Sequence, residues 1–210
     1  MTSLTIVERL AAARIVPVIR SASADQAATA AEWLTEAGFG VLEFTLTTPG
    51  AFELVAANRQ REDALVGIGT VLSAADADRG IAAGARFLVT PCWVDGVIER
   101  CNEAGVPALI GAGSAAEIWR AHGAGAAVVK VFPAAAVGGP GFLKSVRAVF
   151  PQIPLMPTGG FKPDDVRDYL AAGAVCVGMG GELAPAPMIA RGARAEVVAL
   201  GRKLLAEARA

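Results

Sequence analysis

The chain has 210 residues, 54% of them hydrophobic and 19% charged, with a formal net charge of -1 at pH 7. That balance excludes a disordered chain and leaves no basic footprint for nucleic acid, while the length suits one large α/β domain. Cys92, Cys101 and Cys176 are widely spaced, and with the single histidine, His122, they form neither a CxxC pair nor a metal-ligand cluster, so a reducing cytoplasm is the expected setting.

The opening "MTSLTIVERLAAARIVPVIR" carries Glu8, Arg9 and Arg14 among its apolar residues. It is expected to hold a helix ahead of the first strand, not a signal peptide, and no later run reaches membrane-spanning length. In chain order, eight short apolar runs read as strands buried on both faces: "IVPVI" (15–19), "VLEFT" (41–45), "ALVGIGT" (64–70), "RFLVTP" (86–91), "PALIGA" (107–112), "AVVKVFP" (127–133), "IPLMPTGG" (153–160) and "AVCVGMG" (174–180). Stretches of helical composition and period lie between them: "DQAATAAEWLTEAG" (25–38), "SAADADRGIAAGA" (73–85), "VDGVIERCNEAG" (94–105), "SAAEIWRAHGAG" (114–125) and "KPDDVRDYLAAG" (162–173). Several open on Ser or Asp and most close on Gly, as helix caps do. The tail "RAEVVALGRKLLAEARA" is an amphipathic closing helix. Strands alternating with helices, without a linker or composition shift, predict a single (β/α)₈ TIM barrel over residues 1–210 with an additional N-terminal helix. A doubly wound open sheet would show fewer strands and a topological switch point.

Chemistry in such a barrel sits at the C-terminal strand ends, which here carry Arg20, Glu43, Thr70, Pro91, Gly111, Lys130, Thr158 and Gly178. Lys130 is the anomaly, a cation inside the β-branched run "VVKVFPA", where burial penalises the ammonium. Strand alternation puts Lys130 on the face of Val128 and Phe132, and Glu43 on the face of Val41 and Thr45. Strands two and six oppose each other across the barrel, so the two side chains are expected to meet over the core. A free lysine titrates near ~10.4; burial favours the neutral amine, a nucleophile toward a carbonyl, and the product would be a Schiff base. Glu43 could then move protons. Arg20 offers a fork for a substrate carboxylate, with hydroxyls from Thr45, Thr47 and Thr70 nearby. The turns "PTGGF" and "VGMGGEL", with Gly159, Gly160, Gly180 and Gly181, follow the strands after which such barrels hold phosphate. Three other readings are open from the residues alone: a structural ion pair, a phosphosugar isomerase or epimerase with Glu43 as base, and a non-catalytic binding barrel.

The ordered blocks "VPVIR", "VLEFTLTTP", "VGIGTVLSA", "FLVTP", "VVKVFPA", "MPTGGFKPDDVRDYLAAGA" and "VGMGG" resemble the 2-keto-3-deoxy-6-phosphogluconate (KDPG) / 4-hydroxy-2-oxoglutarate aldolase family over nearly the whole chain. The resemblance implies class I chemistry on a (β/α)₈ barrel, with Lys130 forming the Schiff base and Glu43 as general acid and base. It implies a pyruvate pocket lined by Thr70 and Thr158, to which Pro91 and Phe132 are added, and a phosphate cradle at Gly159, Gly160, Gly180 and Gly181. It also implies cleavage of KDPG, or a close 2-keto-3-deoxy acid, to pyruvate and glyceraldehyde 3-phosphate, in a homotrimer with no metal or cofactor; 2-keto-3-deoxy-6-phosphogalactonate and 4-hydroxy-2-oxoglutarate are the alternative substrates. The chain departs from the family where many members carry an arginine and it has Thr47, so Arg20 is the expected carboxylate clamp. It has Gly181 where a serine is usual, and "LIGAGS" (109–114) where "P-G" is common. Trp93 is placed to cover the pocket, and Trp33 and Trp119 read as core or interface.

Overall fold

All eight expected strands form, and all pair in parallel. The computed structural model describes residues 5–209 and gives β1 (Ile15–Ile19), β2 (Val41–Thr45), β3 (Leu65–Gly69), β4 (Leu88–Val89), β5 (Ala108–Ala112), β6 (Val128–Val131), β7 (Leu155–Pro157) and β8 (Val177–Met179). The sheet order is β7-β6-β5-β4-β3-β2-β1-β8, and a single parallel bridge from Thr158 to Gly178 joins its two edges into a barrel. The helices are α1 (Ile6–Ala13), α2 (Ala24–Ala37), α3 (Ala51–Asn58), α4 (Ala74–Ala82), α5 (Val97–Ala104), α6 (Ala115–Gly123), α7 (Gly139–Val149), α8 (Val166–Ala171), α9 (Ala186–Ala190) and α10 (Arg194–Arg209). Among the described residues no helix is long and apolar enough to cross a membrane.

Local chemistry explains the helix starts. Ser23, Ser73 and Ser114 each accept a hydrogen bond from the backbone N–H three residues on, capping α2, α4 and α6. Strand alternation then sorts the core into two layers. Val16, Val41, Leu65, Val89, Leu109, Val128, Met156 and Cys176 fill the barrel interior together with Leu10 of α1, so the N-terminal helix closes the bottom of the barrel. The intervening residues, among them Leu42, Ile68, Ile110 and Val129, face outward into the larger core under the helices.

The later strands are shorter than their apolar runs. β4 ends at Val89 because Thr90 leaves the ladder while still tied to it: its N–H donates to Leu109 O, and its hydroxyl accepts from Gly111 N–H at 3.0 Å. Pro91, with no N–H to donate, then turns the chain over the barrel mouth. A Cβ at Gly111 would overlap the Pro91 backbone, so the glycine makes that crossing possible. β7 gives way at Gly159 and Gly160, whose φ values of +86° and +82° no strand accommodates.

Candidate active site

The barrel interior is apolar through its lower layer and changes character two residues further up the strands. Glu43 follows Val41 on the inner face of β2, Lys130 follows Val128 on β6, and both are buried, at 0% and 5% exposure. Lys130 Nζ lies 4.0 Å from Glu43 Oε1. That is close enough for strong Coulomb attraction and too long for a hydrogen bond. Among the described residues neither Glu43 oxygen has a hydrogen-bond partner. The carboxylate reaches this position because β3 presents Gly69 beside it; a Cβ there would overlap Oε1. Burial pushes the Glu43 carboxyl above its ordinary range, opposed by the charges of Lys130 and Arg20. A buried acid held this way is suited to taking up and releasing a proton.

At the barrel mouth, on the side of β1 and β6–β8, opens a cavity of about 250 Å³ whose lining includes neither Lys130 nor Glu43. From the expected set, Arg20, Phe132, Thr158, Gly159, Gly160, Gly180 and Gly181 line it. Phe132 connects cavity and interior, since its ring centroid lies 5.4 Å from Lys130 Nζ. Thr158 is aimed across the β7–β8 seam into space that a Cβ on Gly178 would fill, and among the described residues its hydroxyl makes only a long 3.5 Å contact to Met156 O, so the hydroxyl is available to a ligand. Arg20 is in no ion pair among the described residues.

Thr47, Thr70 and Pro91 are not in the cavity wall; they belong to the opposite arc, at the ends of β2, β3 and β4. Thr70 holds φ +60°, a region that β-branched residues avoid, and such strain persists only where neighbours over-determine it. Here the Val71 N–H donates to Val89 O immediately after it. The Thr47 hydroxyl lies 2.8 Å from that of Thr45, which donates to Ile19 O, while Thr48 accepts from Ser21 N–H at 3.1 Å. These threonines clasp the backbone on either side of Arg20. The role of Thr48 carried no signal beyond the run "TLTTP".

Other expectations resolve simply. Trp93 does not cover the cavity: its indole donates to Asp95 and packs beneath the Arg120 guanidinium, 3.9 Å from ring centroid to Cζ. Trp33 is core, whereas Trp119 is 54% exposed and stacks on Phe150. Burial pushes the Cys101 thiol up to about 11 and that of Cys176 higher still, so neither is a nucleophile. Among the described residues no three His, Cys, Asp or Glu side chains gather as a metal site. Glu182, in the cavity wall beside Gly181, was not singled out by the sequence.

Comparison with known proteins agrees with this geometry. The family model described as KDPG and KHG aldolase matches residues 6–200. The 2-dehydro-3-deoxy-phosphogluconate aldolase of Treponema pallidum is 36% identical over 203 residues, spanning 96% of this chain and 97% of that protein. The enzyme of the same name from Pseudomonas aeruginosa is also 36% identical, over 92% of this chain and 88% of its own. Among solved structures, the KDPG aldolase of Legionella pneumophila, with pyruvate captured as a covalent carbinolamine intermediate, superposes with a TM-score of 0.86 at 31% identity, covering 96% of this chain and 98% of that one. With the lysine, the glutamate and the glycine turns all at the mouth of one barrel, the chain belongs to the KDPG and KHG aldolase family.

Proposed function

We propose that this protein is a class I aldolase that cleaves a 2-keto-3-deoxy sugar acid of the KDPG type into pyruvate and an aldehyde, which is glyceraldehyde 3-phosphate when the acid is phosphorylated. The observation that carries the proposal is the buried Lys130–Glu43 pair, 4.0 Å apart with both carboxylate oxygens unpartnered among the described residues. A structural buried pair holds together only with close hydrogen bonds that satisfy its remaining lone pairs, and this one lacks them. The Legionella relative's carbinolamine supports the same chemistry, and the isomerase and binding-barrel readings draw no support from the family.

In the proposed reaction Lys130 Nζ adds to the keto carbon, and the carbinolamine loses water to give an iminium. The iminium accepts the electron pair of the breaking C3–C4 bond while the Glu43 carboxylate takes the proton of the C4 hydroxyl, releasing the aldehyde. Glu43, now the acid, returns a proton to C3 of the enamine, and water frees pyruvate from Lys130. Arg20 receives the substrate carboxylate, Thr158 and Thr70 offer hydroxyls to the keto-acid end, and Phe132 and Pro91 act as apolar walls. Thr47 serves through the hydroxyl chain that holds Arg20. The iminium is itself the electron sink, so this chemistry calls on no metal or cofactor. We further propose one catalytic domain over residues 1–210, a cytoplasmic setting, and a homotrimer supported by the apolar surface of Trp119 and Val149, 54% and 67% exposed.

The test is pyruvate release from KDPG, followed by coupling to lactate dehydrogenase. Turnover that disappears in Lys130→Ala is expected. Folded protein that releases no pyruvate from KDPG, 2-keto-3-deoxygluconate or 4-hydroxy-2-oxoglutarate would overturn the proposal.

A further inference from the structure

The end of the barrel opposite the catalytic mouth carries a feature that the aldol chemistry does not use. Two neighbouring cavities, of about 360 and 200 Å³, open there around Leu65, the first residue of β3. Both take Arg9 of α1 and Arg86, just before β4, into their walls. Arg59 and Arg61 complete the arginine side of the larger cavity, where Glu62 is the only carboxylate among the described residues. Arg61 is already committed, since its guanidinium donates to both oxygens of Asp63, at 2.8 and 2.7 Å. The side chains of Arg9, Arg59 and Arg86 make no hydrogen bond or ion pair among the described residues. The Arg59 stem packs on the turn at Gly84, where an added Cβ would stand 2.9 Å from Arg59 Cβ. Beyond the shared arginines the smaller cavity turns apolar, with Ile6, Val106 and Pro107 in its wall.

We propose that this end of the barrel binds an organic polyphosphate, a phosphate chain joined to an apolar ring system, the class to which nucleoside triphosphates belong. Three uncommitted guanidiniums face one carboxylate, in a chain whose formal net charge is -1, so the positive excess is local. The planar N–H fork of arginine matches phosphate oxygens, and a chain of several phosphates can span guanidiniums that a single small anion cannot. The apolar side takes the ring, as ligand sites combine an apolar wall with a few charged groups that fix orientation. A ligand bridging Arg9 and Arg86 also ties α1, which closes the barrel, to the strands, so binding raises the thermal transition.

The site shares no residue with the catalytic mouth, and its test does not depend on the aldolase reading. Isothermal titration calorimetry of the full chain with ATP and with inorganic tripolyphosphate, in metal-free buffer at about 0.1 M salt, compares wild type with Arg9→Gln and Arg86→Gln. The expected result is one ATP bound per chain, with tripolyphosphate bound more weakly because it leaves the apolar side empty. Affinity for ATP should fall about tenfold or more in each variant, whereas Arg202→Gln, outside both cavities, should bind as wild type does. Circular dichroism checks that each variant is folded. No saturable binding to wild type overturns the proposal. So does binding that survives both arginine changes, because the anion then sits elsewhere, the glycine turns of the catalytic mouth included. Tripolyphosphate bound as tightly as ATP overturns the assignment to an organic polyphosphate.

Discussion

The lower and upper layers of the barrel interior are built by the same strands in the same alternation, yet they serve opposite ends. Val41, Val128, Met156 and Cys176 fill the lower layer with fully or almost fully buried apolar side chains. Two residues further along, Glu43 and Lys130 place opposite charges equally deep and leave the carboxylate without a hydrogen bond. The lower layer holds the fold together, and the upper one spends part of that stability on a reactive pair. A layer that exists for packing loses stability when cut and keeps its chemistry. A layer that exists for chemistry does the reverse.

Substitutions can break or sharpen that contrast. The largest expected effect is on turnover in Lys130→Ala, a loss of ~10⁴-fold or more with the thermal transition retained, read by the coupled pyruvate assay and circular dichroism. Glu43→Gln should lower kcat by about 10²- to 10⁴-fold while still permitting some imine trapping, because only the proton transfers are removed. In the lower layer, Met156→Ala should reduce stability by about 2–5 kcal/mol in urea unfolding, the cost of a buried cavity. Arg20→Ala should raise KM for the keto acid by about tenfold with a smaller change in kcat, since it removes a carboxylate contact present before and during the reaction.

The smallest effect is one of pH. Burial raises the folded-state pKa of Glu43 above its unfolded value, so across that interval the native state binds more protons than the unfolded chain. The stabilisation from the neutral carboxyl is fully present below the unfolded pKa, near ~4.3, and is lost as pH rises through the folded pKa. Urea midpoints of wild type relative to Glu43→Gln should therefore fall as pH increases through that window. A flat difference would mean that the carboxylate is not destabilised by its site.

Much of this was legible from the residues. Strand-buried runs and serine caps mark the barrel, and a lone lysine in a β-branched strand marks the chemistry, because both follow from period and burial. The helices α3 and α7 were not among the recognised helical stretches. The first, "AFELVAAN", is too uniformly apolar to show an amphipathic period and starts at a left-handed Gly50 without a side-chain cap. The second opens "GPG", which reads as a turn although proline in the first turn suits a helix. At the site, strand position told which residues reach the barrel mouth but not on which arc they stand. Thr47, Thr70 and Pro91 stand on the arc of β2–β4, outside the wall of the cavity on the side of β1 and β6–β8, as do Lys130 and Glu43. Glu182 escaped notice because a glutamate after a glycine turn has no local mark; only the folded turn carries it back toward Gly180.

The central claim is that Lys130 is a nucleophile and not half of a structural ion pair. The most direct measurement is intact mass of the wild-type protein after incubation with pyruvate and borohydride, followed by peptide mapping. A single reduced pyruvyl adduct on the peptide containing Lys130, absent in Lys130→Ala, is the predicted result. Folded wild-type protein that gains no adduct, or gains it on another lysine, would contradict the account.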